Sequence, residues 1–165
     1  MVKAIKEFFV RVVGARGAVF FCSMLPIIEL RGSVILGAAL DIPWWQNYLI
    51  SVVGNLLPIV FVLLLINWFL EVLKKVKGLC KIAYWLERKA EKNRPKIEKY
   101  GFWGLVLFIM IPLPGTGAWT GALAAALMKM KFLKAFLAIV IGVLLAGVIM
   151  TLASYGVIGF LSFLL

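Results

Sequence analysis

The sequence predicts an all-α integral membrane protein made of two inverted repeats, each an amphipathic helix, a re-entrant helical hairpin and a transmembrane helix. Three observations predict it. Apolar residues make up 64% of the chain and charged residues 15%, where soluble domains average roughly 25% charged and under 50% apolar. The uncharged runs Ile42–Leu70 and Ala135–Leu165 exceed the roughly 20 residues that a helix needs to cross the hydrocarbon. Each is preceded by an apolar segment broken at its centre, and each of those by a basic amphipathic stretch.

The elements follow in order. Met1–Arg16 spaces Ile5, Phe8, Phe9, Val12 and Val13 by threes and fours among Lys3, Lys6, Arg11 and Arg16, which reads as an interfacial amphipathic helix rather than a cleavable signal. Gly17–Leu40 is apolar but holds Pro26, Glu29, Arg31 and Gly32. Asp41-Ile42-Pro43 makes a turn, and Trp44, Trp45 and Tyr48 suit a membrane–water boundary. In Ile42–Leu70, the residues Gly54, Asn55 and Pro58 mark a kink and a place for a close neighbour. Glu71–Lys99 carries ten Lys and Arg against four Glu, which assigns it to the cytoplasm. Within it, Asn93-Arg94-Pro95 divides two helices. Tyr100–Met128 is uncharged and is broken by Pro112, Pro114, Gly115 and Gly117. Ala135–Leu165 is either one long tilted span or a span followed by a short terminal helix near Tyr155-Gly156.

Charge parity sets the topology of Tyr100–Met128. Both of its flanks are basic, so both belong on the cytoplasmic side, and the segment returns to the side it left. Its tip, Pro112–Thr116, then lies at membrane depth, where broken backbone is tolerated only if protein buries it or it lines a wet cavity. Repeat one covers 1–70, the amphipathic linker 71–99, and repeat two 100–165, all within a single membrane domain. Pro26 matches Pro114 and Gly54 matches Gly142, both at a shift of 88 residues. An odd number of crossings per repeat inverts the second copy, as in many transporter folds. For Gly17–Leu40 two readings stand. A hairpin keeps the symmetry but puts basic Met1–Arg16 outside, and a full span does the reverse. The cost of Glu29 and Arg31 at the centre of a span favours the hairpin.

The candidate site residues lie at the two tips. Glu29 and Arg31 are the charges of the first broken segment. They are either a stabilising ion pair or separate functional groups, and a helical tip, which points residues two apart in different directions, favours separate roles. Arg31 offers a planar fork for phosphate or carboxylate, and Glu29 can carry a proton. At the second tip, Thr116 and Thr120 are spaced to share a helical face, and Gly115 and Gly117 leave backbone N–H groups open to a ligand. Thr116 is expected to cap the returning helix. Ser33 would play the corresponding part in the first half, and Trp119 is more often a packing residue than a contact. Pro26, Gly32, Pro112, Pro114 and Gly115 form the tips themselves.

Other chemistries lack their residues. Histidine is absent, which removes His-based catalysis and most metal ligation, and Cys22 and Cys80 form neither a disulfide framework nor a metal site. No nucleophile–base pair or nucleotide loop is present, so the protein is expected not to be an enzyme and to need no cofactor or metal. The net charge of +11 lies beside apolar runs and reads as contact with anionic headgroups, with no nucleic-acid partner. One acid, one fixed cation and several hydroxyls in an apolar surround suit an amphiphile with an anionic head, and equally a proton-coupled carrier of organic ions.

Pro26-Ile-Ile-Glu-Leu-Arg-Gly32 and Ile111-Pro-Leu-Pro-Gly-Thr-Gly-Ala-Trp-Thr-Gly121 together resemble the small multidrug export protein family of prokaryotes, over essentially the whole chain. That family is distantly similar to the DedA (VTT-domain) membrane proteins, which have two re-entrant hairpins in an inverted repeat and are associated with flipping polyprenyl phosphate. By this resemblance Glu29 takes the place of the acidic residue of the first hairpin. DedA proteins carry arginines in the second hairpin, whereas here that hairpin is uncharged and the arginine is Arg31.

The resemblance implies a multi-pass protein of the prokaryotic cytoplasmic (inner) membrane, and the few full spans in each protomer lead to the expectation of a homodimer. Its expected activity is transport or flipping of an anionic lipid, polyprenyl phosphate first. Arg31, Ser33, Thr116, Gly117, Trp119 and Thr120 would bind the substrate and Glu29 would couple to protons. Two alternatives stay open: proton-coupled export of small compounds, and a non-transporting role in membrane organisation.

Overall fold

The computed structural model describes residues 14–75, 101–113, 116–128 and 130–164. The amphipathic stretch before Gly14, most of the basic linker with its Asn93-Arg94-Pro95 break, and Pro114 and Gly115 lie outside the described residues. Among the described residues there are six helices and no strands: α1 (14–24), α2 (Glu29–Ala38), α3 (Trp44–Lys75), α4 (Gly101–Met110), α5 (Ala118–Leu127) and α6 (Phe132–Leu164). Two of them are long and apolar enough to cross a membrane, over Trp44–Leu65 and Phe132–Gly156. With the composition, this identifies a membrane protein.

The first broken segment is not a single helix. α1 stops before the turn at 25–28, where Pro26 has no N–H to give. The 10-residue α2 is about 15 Å long at 1.5 Å per residue, half of the roughly 30 Å hydrocarbon thickness. α2 ends where Ile42 N–H donates to the Gly37 carbonyl at 3.0 Å, with Asp41 in the left-handed conformation at φ 54°. Asp tolerates that conformation better than most residues do. The second broken segment likewise divides, into α4 and α5.

The two long helices bear on two expectations. α6 runs unbroken from Phe132 to Leu164, so there is no separate terminal helix near Gly156. α3 continues past Leu70 to Lys75, taking in the first residues of the basic linker, and passes through Pro58.

The chain divides into two compact units: Met1–Pro58 with Val143–Leu165, and Ile59–Gly142. In the first, α1 buries Ala18, Val19, Cys22 and Ser23, and α2 buries Leu30, Ser33, Val34 and Gly37. In the second, α4 buries Leu105, Val106 and Ile109, and α5 buries Ala118, Gly121, Ala122 and Ala125. These are the same helical stripes moved by 87 residues for the first helix and 88 for the second.

The close approaches recur as well. A methyl group on Gly54 of α3 would come within 2.7 Å of the Phe20 carbonyl oxygen of α1. One on Gly142 of α6 would come within 2.7 Å of Ile109 Cβ and 3.1 Å of the Val106 carbonyl oxygen of α4. In each unit a long helix therefore touches the backbone of the first short helix at a glycine, as small residues allow between membrane helices. The first described residue of α1 and of α4 is in each case a left-handed glycine, Gly14 at φ 75° and Gly101 at φ 46°.

Candidate functional site

The first unit holds the charged tip. The Leu25 carbonyl accepts from Ile28 N–H at 3.2 Å and from Glu29 N–H at 2.8 Å, which closes the turn. Glu29 then opens α2 with a left-handed backbone, φ 51°, and is only 8% exposed. A non-glycine residue held there is strained by roughly 1–2 kcal/mol, and such strain gathers at functional sites. Its carboxylate stands at the positive end of α2. Arg31 is half-buried on the first turn, and the Glu29 charge acts electrostatically on its guanidinium. Pro26 is exposed in the turn. Gly32 lets Ile28 fold over it, since an added Cβ would meet Ile28 Cγ2 at 2.5 Å. Ser33 lies away from the surface of the tip: it is fully buried, and its hydroxyl donates to the Leu30 carbonyl at 2.9 Å.

The second tip departs from the sequence reading in how its threonines act. Thr116 does not cap α5. Gly117 occupies the cap position with no side-chain bond, and the Thr116 hydroxyl turns back to the Ile111 and Leu113 carbonyls, at 2.8 and 2.9 Å. Each of these carbonyls also accepts a backbone N–H, from Leu113 at 2.8 Å and from Thr116 at 3.2 Å, so the hydroxyl adds a second bond to each. Nor do Thr116 and Thr120 share a helical face, because α5 begins only at Ala118. Thr120 is exposed in its first turn and bonds the Gly117 carbonyl at 3.3 Å. Gly117 is buried at φ 149°, ψ −172°, a region essentially closed to other residues. Trp119 is half-buried, and Pro112 is exposed.

The sequence reading missed a buried polar row in the first unit. Asn47, Ser51 and Asn55 stand four residues apart on one face of α3, each 2% exposed or less. The Asn47 amide donates to the Val34 carbonyl at 2.8 Å and to the Tyr155 hydroxyl at 3.0 Å, while Ser51 Oγ donates to Asn47 Oδ1 at 3.3 Å. Tyr155 in turn donates to the Ile42 carbonyl. Gly37 makes room for this row, since a Cβ there would overlap the Asn47 amide. The spacing of four was visible in the sequence. In the sequence Asn55 stands between Gly54 and Pro58 and reads with them as a kink and a place for a close neighbour.

At the matching positions of α6, 88 residues on, stand Ala135, Ile139 and Val143, all buried and all apolar. Ser33 matches Gly121, and Glu29 matches Gly117. The two halves thus share a packing pattern but not a chemistry. Among the described residues, the buried polar and charged side chains Ser23, Glu29, Ser33, Asn47, Ser51 and Asn55 lie in residues 23–55, and Thr151 of α6 is the further buried polar side chain of the first unit. Among the described residues no cluster of His, Cys, Asp or Glu could hold a metal ion.

Neither a curated protein nor a solved structure matches the chain. A family model does, over residues 29–149, from the buried acid at the first tip to the middle of α6. With that match covering well over half of its length, the chain belongs to the family described as "Putative small multi-drug export protein".

Proposed function

We propose that the protein exports small amphipathic compounds, with Glu29 as the proton-carrying group. The observation that supports this best is Glu29 itself, a buried acid in strained backbone at the break between α1 and the 10-residue α2. Intramembrane ionisable residues of this kind mark substrate and proton pathways. The family description points the same way. In this reading α1–α2 and α4–α5 are re-entrant hairpins, α3 and α6 are the spans, the second repeat is inverted, and the protein is a multi-pass homodimer of the cytoplasmic membrane.

A second reading rests on Arg31. A half-buried guanidinium beside the α2 N-terminus fits a phosphate headgroup. It makes the protein a flippase for an anionic lipid such as polyprenyl phosphate.

Proteoliposomes separate the two. Under an imposed pH gradient the wild-type protein is expected to move ethidium, and Glu29→Gln to abolish that flux. If Glu29→Gln transports at the wild-type rate, the proton role fails. If headgroup-labelled polyprenyl phosphate is translocated instead, and Arg31→Ala stops it, the lipid reading replaces the first.

A further inference from the structure

The first unit contains a cleft of about 470 Å³ that no residue of either tip lines. Trp44 and Tyr48 of α3 form one wall, and Val148, Leu152, Tyr155 and Gly156 of α6 form the other. Both walls belong to helices long and apolar enough to cross a membrane. Trp44, Val148 and Leu152 are exposed, so the cleft opens on the outer surface of those helices.

Three features select the occupant. The first is the chemistry of the walls. Among the described residues, none that lines the cleft is charged. The Tyr48 hydroxyl donates to the Leu144 carbonyl at 3.3 Å, and the Tyr155 hydroxyl donates to the Ile42 carbonyl and accepts from Asn47. The Thr151 hydroxyl oxygen is enclosed and offers the cleft nothing. Beyond Trp44 the walls therefore present hydrocarbon and ring faces. A polar group placed there would lose its solvation for no return.

The second is depth. Trp44 opens the first candidate span, which sets one end of the cleft at headgroup level. From Gly156 to Val148 the cleft follows α6 for about 12 Å, at 1.5 Å per residue. Tyr48 lies toward the inner end, packed on Gly147, where an added Cβ would meet its ring at 2.7 Å. Its hydroxyl bond and that of Tyr155 fix both rings before anything binds, which lowers the ordering cost.

The third is size. In hydrocarbon an empty cleft forfeits the dispersion contacts of its lining, and water gains nothing from an apolar one. A second copy of the chain needs a larger footprint: stable interfaces take roughly 20–30 residues a side, and seven line the cleft.

We infer that this cleft seats one acyl chain of a bilayer phospholipid, with its ester end beside Trp44 and its methylenes running inward between Tyr48 and α6. The lipid is held there, not moved, so the inference stands apart from transport and from Glu29.

The test titrates dioleoyl phosphatidylcholine into the delipidated full chain in detergent, with the lipid-bound fraction read by native mass spectrometry. A single saturable site is expected. Gly156→Trp, which adds a large ring where a Cβ meets no atom within 4 Å, should abolish it. Leu152→Ala should weaken it about fivefold, for the loss of about ten carbon–carbon contacts. Leu57→Ala, at an exposed position of α3 outside the cleft, should leave it unchanged. Leu152 and Gly156 are both exposed, so neither change disturbs the buried packing. In phosphatidylcholine nanodiscs, a diazirine near the ester end of one acyl chain should label Trp44, and one at mid-chain should label Tyr48 or Val148.

Binding without saturation overturns the proposal, as does wild-type affinity in both Gly156→Trp and Leu152→Ala. Photolabelling spread evenly over the exposed faces of α3 and α6 does so too. A lipid-free dimer that Gly156→Trp dissociates would give the cleft to a second copy instead.

Discussion

Replacing Asn47 by Leu keeps the branching of the side chain, at a somewhat larger volume, but removes the amide that ties the polar row to Val34 and Tyr155. Two donated bonds disappear, to the Val34 carbonyl at 2.8 Å and to the Tyr155 hydroxyl at 3.0 Å. The accepted bond from Ser51 also goes, but its 3.3 Å length makes it the weakest of the three. Ser51 can also return its proton to a carbonyl of its own helix. Tyr155 still donates to Ile42. The net loss is thus two hydrogen bonds, each worth about 0.6 kcal/mol between membrane helices and about 1 kcal/mol in soluble cores. The expected destabilisation is about 1–2 kcal/mol, or about 5- to 30-fold in the opening equilibrium. Cys22 reports it conveniently: its thiol is 2% exposed in the same unit. In a Cys80→Ser background, maleimide labelling of Cys22 should accelerate by that factor. An unchanged or slower rate would show that the row contributes nothing net to the folded state, and the hydrogen-bond account of it would be wrong.

Other predictions follow from single contacts. Gly54→Ala and Gly142→Ala should both destabilise in a melting assay, because each forces a methyl group against the first short helix of its unit, including a backbone oxygen that cannot rotate aside. Gly101→Ala meets no atom within 4 Å and should cost only the roughly 1–2 kcal/mol of its left-handed backbone. Gly117→Ala should cost about 1–3 kcal/mol from backbone strain alone, lowering the midpoint of thermal unfolding. Thr116→Val should loosen the turn after α4, read as faster hydrogen exchange there, while Thr116→Ser keeps both carbonyl bonds and should behave as wild type.

The places where helices stop were legible because they depend on covalent features. Pro26 and Pro112 lack a donor wherever they stand, so the breaks between α1 and α2 and between α4 and α5 follow from the sequence. The glycines of α6 were ambiguous. A glycine can end a helix or admit a neighbour, and only the packing shows that Gly142 and Gly147 admit one. Thr116 shows the same limit at the site. A threonine before a helix is a capping signal, but which partner its hydroxyl takes depends on where the preceding break places the Ile111 and Leu113 carbonyls. Of the candidate site, the acid and the arginine could be read directly because charge is rare in such a segment. Asn47 and Ser51 could not be ranked as buried hydrogen-bonding groups without knowing that Val34 and Tyr155 lie against them.

The matched burial of the two halves gives this chain its own reference molecule. For each polar residue buried in the first half at Ser33, Asn47, Ser51 and Asn55, the second half shows which apolar or small residue the same packing position accepts: Gly121, Ala135, Ile139 and Val143. Transplanting them one at a time gives a graded series in which the scaffold is held constant and only the buried dipoles are withdrawn. If stability rises along the series while flux falls, the polar groups are a functional burden carried by a scaffold that would fold better without them. If both fall together, they are part of what makes the first half fold at all.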